Sequence, residues 1–121
     1  MRIYYASLTG NVRRFISKLG VEATDINTHP LADTPYILVC YTFGMGQVPA
    51  EVSDWLQRNS RYLRGVAVSG NKNWGDFYGR AGDIIAKQYG VPLLLKFELS
   101  GNDEDVRIFN ERVRRLCGTT N

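Results

Sequence analysis

Short apolar runs alternate along this chain with segments in which apolar residues recur every three or four positions. The runs typical of strands are residues 2–6, 24–27, 36–41, 65–69 and 93–99. The segments with the spacing of amphipathic helices are residues 12–19, 49–59, 78–89 and 103–116. Strands that alternate with helices in this way predict a parallel sheet covered by helices on both faces.

The length and the cysteine usage favour a single cytoplasmic domain. The 121 residues suffice for one domain, 1–121, with a sizeable core. No apolar run approaches the roughly 20 residues of a membrane span, and no signal peptide is visible, so no membrane partner is expected. Cys40 and Cys117 lie far apart and form no CxxC motif. We therefore expect free thiols, with Cys40 in the core, and we expect the single His29 at the surface.

The net charge of +3 suits an acidic partner more than a nucleic acid. Eleven of the basic residues are arginines, but they are scattered along the chain instead of forming one run. Many of them fall near predicted helix ends, where cations complement the helix dipole. We therefore expect no nucleic-acid partner.

The segment Ser7–Val12 follows the first strand and leads into the first helix. It contains the hydroxyls of Ser7 and Thr9, the amide of Asn11 and a glycine, Gly10, where the backbone must come close to a ligand. A helix start adds unpaired N–H groups and a positive dipole end, so the segment suits a phosphate monoester. The same residues also suit a simple helix cap by Thr9 or Asn11, and the hexapeptide by itself leaves both interpretations open.

Two further loops are expected at the same edge of the sheet, because ligands of open α/β sheets bind beyond the carboxyl ends of the strands. The loop Thr42–Val48 places Phe43 and Met45 between glycines, and the loop Gly70–Phe77 contains Trp74 among amide side chains. An aromatic residue in one such loop is more often packing than a ring contact. The convergence of three loops favours a mononucleotide with a flat aromatic base, and FMN fits best.

Other nucleotide-binding motifs are missing from the sequence. No G-x-G-x-x-G opens the first helix, and no G-x-x-x-x-G-K-[ST] is present. A phospho-receiver domain would have paired acids at the end of the first strand, where this chain has Tyr and Ala.

Four sequence motifs resemble those of one known family. Ser7-Leu8-Thr9-Gly10-Asn11-Val12 is similar to the phosphate loop of flavodoxins. The more specific motifs are Ala67-Val68-Ser69-Gly70-Asn71-Lys72-Asn73-Trp74-Gly75, Tyr41-Thr42 with Gly46-Gln47-Val48-Pro49, and Val91-Pro92 with Lys96-Phe97-Glu98-Leu99-Ser100-Gly101. Together they resemble the NrdI family, the flavodoxin-like proteins of the class Ib ribonucleotide reductase system, over essentially the whole chain.

The resemblance implies a flavodoxin-like, doubly wound, five-stranded parallel sheet of order 2-1-3-4-5 that binds FMN. It places the phosphate on Ser7, Thr9, Gly10, Asn11 and Val12. It places the isoalloxazine ring along Thr42, Phe43, Gly44, Met45 and Gly46, with Asn71, Trp74 and Gly75 on the other side. The middle loop departs from the family pattern at Met45, so the choice between Phe43 and Met45 as the ring contact stays open. The flavin carries the chemistry, so no catalytic side chain and no metal ligand are expected.

The resemblance also implies a role in cofactor assembly. Reduced flavin would convert dioxygen into an oxidant, superoxide, for the metal-bearing small subunit NrdF, where a dimanganese–tyrosyl radical cofactor is assembled. A flavin or thiol reductase would supply the electrons. Two alternatives remain open from the sequence: a general electron-transfer flavodoxin, and an apo α/β binding module that uses its arginine-rich surface.

Overall fold

The computed structural model describes residues 1–118, which form a parallel sheet with helices on both faces. The strands are β1 (Arg2–Tyr5), β2 (Thr24–Asp25), β3 (Tyr36–Tyr41), β4 (Leu63–Gly70) and β5 (Leu93–Glu98). The helices are α1 (Asn11–Leu19), α2 (Ala50–Asn59), α3 (Arg80–Tyr89) and α4 (Asp103–Gly118), with short 3₁₀ segments at Ser60–Tyr62 and Lys72–Phe77. The strand order is β2-β1-β3-β4-β5, which confirms the predicted doubly wound topology.

The central strand β3 is buried on both faces, as its continuous apolar run predicts. Tyr36, Leu38 and Cys40 pack in one core layer with residues of α2 and α3. Ile37 and Val39 pack in the other layer with residues of α1 and α4. The two core layers thus pack the helices against both faces of the sheet.

The α2 side of the sheet contains an aromatic cluster that also holds the long segment before β3. Tyr4, Tyr36 and Trp55 have ring centroids 5.2–5.3 Å apart. The Tyr36 hydroxyl donates to the carbonyl oxygen of Asn59 at 2.7 Å. The Asn59 side chain is itself buried and donates to the carbonyl oxygen of Pro30 at 3.0 Å. These bonds satisfy the polar groups that the cluster buries.

The opposite face contains a cluster of three phenylalanines that joins α1 to the sheet. The rings of Phe15 and Phe97 stack at 4.0 Å, with planes 16° apart. Phe109 of α4 meets Phe15 edge-on at 5.6 Å. Offset-stacked and edge-on pairs of this kind each contribute about 0.5–1.5 kcal/mol beyond the area they bury. This cluster therefore fixes α1, whose first turn follows the predicted phosphate loop.

Several element boundaries differ from those that the sequence predicts. The second strand ends at Asp25 instead of Asn27, because the Asp25 carboxylate accepts the N–H of Asn27 at 2.9 Å and turns the chain. The third helix begins at Arg80 and not at residue 78, because Gly79 adopts a left-handed conformation with φ 61° at the N-cap position. The fourth strand begins two residues earlier than expected, at Leu63.

The predictions for Cys40 and His29 are confirmed. Cys40 is fully buried, and burial raises the pKa of its thiol to about 12. His29 is exposed. Across residues 1–118, we find no helix with both the length and the apolar character that crossing a bilayer requires.

The buried tyrosines predict a loss of stability at high pH. Burial raises the pKa of Tyr36 well above its ordinary value of 10.0, and burial followed by the hydrogen bond to Glu51 raises that of Tyr41 to about 12. At pH values between the ordinary tyrosine pKa of 10.0 and the raised pKa of Tyr41, about 12, the unfolded chain releases phenolic protons that the native protein keeps. The free energy of unfolding should therefore fall as the pH rises from about 10 towards 12.

Urea unfolding at a series of pH values measures this loss, and absorbance at 295 nm counts the ionised phenols. Tyr41→Phe should flatten part of the pH dependence. Ionisation of all seven tyrosines near pH 10 in the native protein would contradict the prediction.

Candidate functional site

Three loops meet at the carboxyl edge of the sheet and enclose a cleft of about 140 Å³. They follow β1, β3 and β4, as the sequence predicts. The predicted site residues that line the cleft are Ser7, Thr9, Asn11, Val12, Thr42, Gly44, Asn71 and Trp74. The predicted residues Gly10, Phe43, Met45, Gly46 and Gly75 lie on the same loops outside its lining.

The cleft also contains residues that the sequence did not predict as cofactor contacts, although some of them lie on the predicted loops. The full set is Leu8, Tyr41, Ser69, Gly70, Phe77, Gly79 and Leu99. Tyr41, Ser69 and Gly70 end their strands, so the rule that ligands bind at the carboxyl ends could have found them. The sequence does not indicate that Leu99 lines the cleft, because the position of Leu99 depends on the turn that follows β5.

The first loop presents hydrogen-bond donors. Gly10 occupies the N-cap position of α1 with φ 91°, and neither Thr9 nor Asn11 caps the helix, so the simple cap interpretation is wrong. Instead the Ser7 hydroxyl oxygen accepts the N–H of Arg13 at 3.3 Å. In the described part of the chain, the N–H groups of Asn11 and Val12 have no acceptor. Free N–H groups at a helix start favour an anion.

The floor of the cleft is a line of hydrogen bonds across three strand ends. The N–H and the hydroxyl of Thr42 both donate to the carbonyl oxygen of Ser69, at 3.1 and 2.9 Å. The Ser69 hydroxyl donates to the carbonyl oxygen of Leu99 at 2.6 Å. The N–H of Leu99 donates to the carbonyl oxygen of Gly70 at 2.9 Å. Leu99 has φ 55°, and among residues 1–118 no other non-glycine residue has a positive φ. Such a conformation persists where its surroundings hold it.

The third loop closes on itself at a narrow neck. A Cβ atom on Gly70 would lie 2.8 Å from the backbone nitrogen of Gly79, so the neck has room for glycine only. The Lys96 amino group donates to the carbonyl oxygen of Tyr78 at 3.2 Å and pairs with Asp83 at 2.6 Å. The Lys96 side chain therefore joins the end of the loop to β5 and α3.

Within this loop, Asn71 holds the turn and Trp74 is presented to solvent. The side-chain oxygen of Asn71 accepts the N–H of Asn73 at 2.9 Å. The backbone carbonyl oxygen of Asn71 accepts the N–H of Trp74 at 3.0 Å. Gly75 has φ 58° and ψ −121°, a backbone conformation that is essentially reserved for glycine. The Trp74 side chain, which lines the cleft, remains 48% exposed.

The middle loop is a tight turn with an apolar surface. Phe43 and Gln47 exchange both backbone hydrogen bonds, at 2.9 and 2.8 Å. Gly46 is buried beside Phe77 of the neighbouring loop and Arg80 at the start of α3. Phe43 and Met45 are 51% and 60% exposed, and neither lines the enclosed part of the cleft. The question of which one contacts a ring therefore stays open.

Comparison of the sequence with known proteins identifies the family of this chain. A family model described as NrdI Flavodoxin like matches residues 3–111. Protein NrdI of Macrococcus caseolyticus (strain JCSC5402) is 50% identical over 117 residues, which are 96% of this chain and 91% of that protein. This chain belongs to the NrdI family of flavodoxin-like proteins. Proteins of the NrdI family bind FMN.

A solved structure of a short-chain flavodoxin associated with a non-canonical PDU bacterial microcompartment shares the fold. Its TM-score is 0.64, and the match covers 99% of this chain and 97% of that one. The sequences are 21% identical, so this likeness supports the flavodoxin fold only.

The chemistry of the cleft fits the FMN of the NrdI family. Hydroxyl and N–H donors of the first loop suit a phosphate, and an exposed indole beside apolar loops suits a flat ring. A larger cleft, of about 680 Å³, lies at the opposite edge among Arg2, Glu22 and Cys117. It is at the amino ends of the strands and contains none of the three loops, so the smaller cleft is the candidate cofactor site.

The neck of the third loop provides a test of the cleft. In Gly70→Ala the new Cβ meets the Gly79 backbone, and overpacking of this kind costs about 1–3 kcal/mol. We expect lower stability in urea and roughly tenfold weaker binding of both FMN and riboflavin, because the loop beside the ring is displaced.

Gly118→Ala is the matched control for Gly70→Ala, since none of residues 1–118 has an atom within 4 Å of a Cβ atom at Gly118. Fluorescence titration measures both flavin affinities. Unchanged affinity in Gly70→Ala would mean that the third loop does not contact the flavin.

Proposed function

We propose that this NrdI-family protein acts in the cytoplasm as the FMN-dependent activator of a class Ib ribonucleotide reductase small subunit, NrdF. Bound FMN would supply the electrons that reduce dioxygen to superoxide, the oxidant for assembly of the dimanganese–tyrosyl radical. A flavin or thiol reductase would reduce the flavin. The main support is the 50% identity to a Protein NrdI over almost the whole chain.

In this proposal the first loop holds the phosphate. Ser7 and Thr9 donate through their hydroxyls, Asn11 and Val12 through their backbone N–H groups, and Gly10 lets the backbone approach. The support is the set of donors that face the cleft and lack acceptors among residues 1–118. Hydrogen bonds to a phosphate are charge-assisted and are therefore stronger than neutral ones.

The ring would lie between the other two loops. Thr42 to Gly46 line one side, and Asn71, Trp74 and Gly75 cover the other. Cofactor sites are usually about 300–1,000 Å³ in volume, so a cleft of 140 Å³ encloses only part of an FMN molecule. The remaining contacts would come from the exposed apolar rim, where dioxygen has direct access.

The rim also supports a protein partner. Five of the exposed large apolar side chains lie on loops at this edge: Leu8, Phe43, Met45, Trp74 and Leu99. Exposed apolar groups that cluster in this way favour a docking surface. The exposed arginines Arg13 and Arg14 are close in sequence to the first loop, and positive charge there would increase the association rate of an acidic partner.

Thr9→Ala tests the phosphate assignment. A hydrogen bond to a charged group contributes about 1.5–3 kcal/mol, so FMN affinity should fall roughly 10- to 150-fold. Riboflavin lacks the phosphate and should lose little affinity. Quenching of flavin fluorescence gives both dissociation constants, and equal losses for the two ligands would assign Thr9 a structural role only.

Activation of NrdF tests the proposed role. We expect the reduced protein to produce tyrosyl radical in manganese-loaded NrdF only when oxygen is present, as read by electron paramagnetic resonance. Peroxide added without the protein should produce none, and superoxide scavengers should lower the yield.

The control for this experiment is an ordinary acidic flavodoxin reduced to the same extent. If it activates NrdF equally well, the specialised role is wrong and a general electron-transfer function is favoured. A preparation that binds no flavin after incubation with excess FMN would contradict both functions.

A further inference from the structure

We propose that Arg14 is a positioning residue that sets the direction of the hydrogen bonds in the phosphate loop. This inference rests on the proposed phosphate site. It concerns a side chain outside the lining of the cleft, one turn into α1. Its effect would pass through Asn11 to Thr9, both of which line the cleft.

The geometry fixes the orientation of the Asn11 side chain. Nη2 of Arg14 donates to Oδ1 of Asn11 at 2.6 Å. A guanidinium has donors only, so the oxygen of the Asn11 amide must face Arg14 and its NH₂ group must point the other way. That NH₂ group donates to Oγ1 of Thr9 at 3.4 Å.

The consequence appears at the Thr9 hydroxyl. Because Oγ1 of Thr9 accepts from Asn11, the hydroxyl proton of Thr9 is free to donate elsewhere. A phosphate dianion offers acceptors only, so a phosphate loop functions when its polar groups present protons. Without Arg14 the Asn11 amide is free to rotate by 180° and to turn its oxygen towards Thr9, whose hydroxyl would then donate to Asn11 instead of to the anion.

The guanidinium also lies close to the loop backbone. Nη1 of Arg14 is 3.0 Å from the position that a Cβ atom on Gly10 would occupy. Gly10 therefore has two functions: it adopts φ 91° at the start of α1, and it leaves space for the guanidinium. The positive charge is held beside the phosphate loop by packing as well as by the bond to Asn11.

The neighbouring Arg13 provides a matched control. It is exposed on the same helical turn and has the same charge, but its guanidinium faces Asp25 at 3.6 Å. Within residues 1–118 its side chain makes no hydrogen bond to Asn11 or Thr9, whereas the Arg14 side chain bonds to Asn11. A comparison of variants at the two positions therefore distinguishes the effect of the bond between Arg14 and Asn11 from the effect of positive charge alone.

The first experiment measures FMN and riboflavin affinities by fluorescence titration for Arg14→Met, Arg14→Lys and Arg13→Met, at low and high salt. For Arg14→Met we expect a roughly tenfold loss of FMN affinity, with riboflavin affinity changed less than about twofold. Arg14→Lys should restore most of the loss, because an ammonium is also a donor only. Arg13→Met should change FMN affinity less than about twofold and should share any salt-dependent part of the effect.

The second experiment tests the path through Asn11. In an Asn11→Ala background, Arg14→Met should cost much less than in the wild type, so that the two changes are coupled. A full, additive loss in that background would overturn the proposal and leave only a charge effect. An equal loss in Arg13→Met would overturn it as well.

The outcomes also separate this inference from the site on which it rests. If the unaltered protein binds FMN and riboflavin equally tightly, the phosphate assignment fails and the role of Arg14 fails with it. If the unaltered protein prefers FMN and Arg14→Met keeps that preference in full, the phosphate site stands and only the role of Arg14 is overturned. Circular dichroism and thermal unfolding check that each variant is folded.

Discussion

The cleft depends on the buried side chain and carbonyl group of Ser69. Its carbonyl oxygen accepts two hydrogen bonds from Thr42, and its hydroxyl donates to Leu99, so one residue joins the ends of β3, β4 and β5. Ser69 is almost completely buried, and an unpaired polar group there would cost about 1–3 kcal/mol. Two of the three loops leave the sheet directly from these bonded ends, and their starting points are therefore fixed before any ligand binds.

Strand β5 supports the third loop from one of its faces and α1 from the other. Lys96 bonds to the end of the third loop, and the Glu98 carboxylate accepts the N–H of Lys72 at 3.2 Å. Phe97, between them, points to the opposite face and stacks on Phe15 of α1. Because side chains alternate between the two faces of a strand, β5 contacts both the third loop and the helix that follows the first loop. This explains why Lys96-Phe97-Glu98-Leu99-Ser100-Gly101 is a recognisable motif although most of it lies outside the cleft.

The parts that the sequence predicts are those that depend on local patterns. Continuous apolar runs identify buried strands, and the order of strands and loops places Ser7, Thr42 and Asn71 at one edge. The contacts that shape the cleft could not be predicted in this way, because they join residues distant in the chain. The neck between Gly70 and Gly79 depends on the packing of two backbones, and the left-handed turn at Leu99 depends on its bonds to Ser69 and Gly70. Neither has a sequence pattern of its own.

The two ends of the cleft differ in chemistry: one presents hydrogen-bond donors and the other presents exposed apolar side chains. This difference suits a cofactor that reacts with a molecule outside the protein. The proposed phosphate end consists of donors at the start of α1, a helix that the stacked rings of Phe15 and Phe97 join to the sheet. The other end is formed by loops whose necks are fixed but whose apolar side chains, such as Phe43 and Trp74, remain exposed. In the proposal, affinity can come mainly from the charge-assisted bonds at the phosphate end, so the ring end does not need to be buried. A flavin bound in this way would stay accessible to dioxygen and to a docked protein, which is the requirement that the proposed role imposes on the fold.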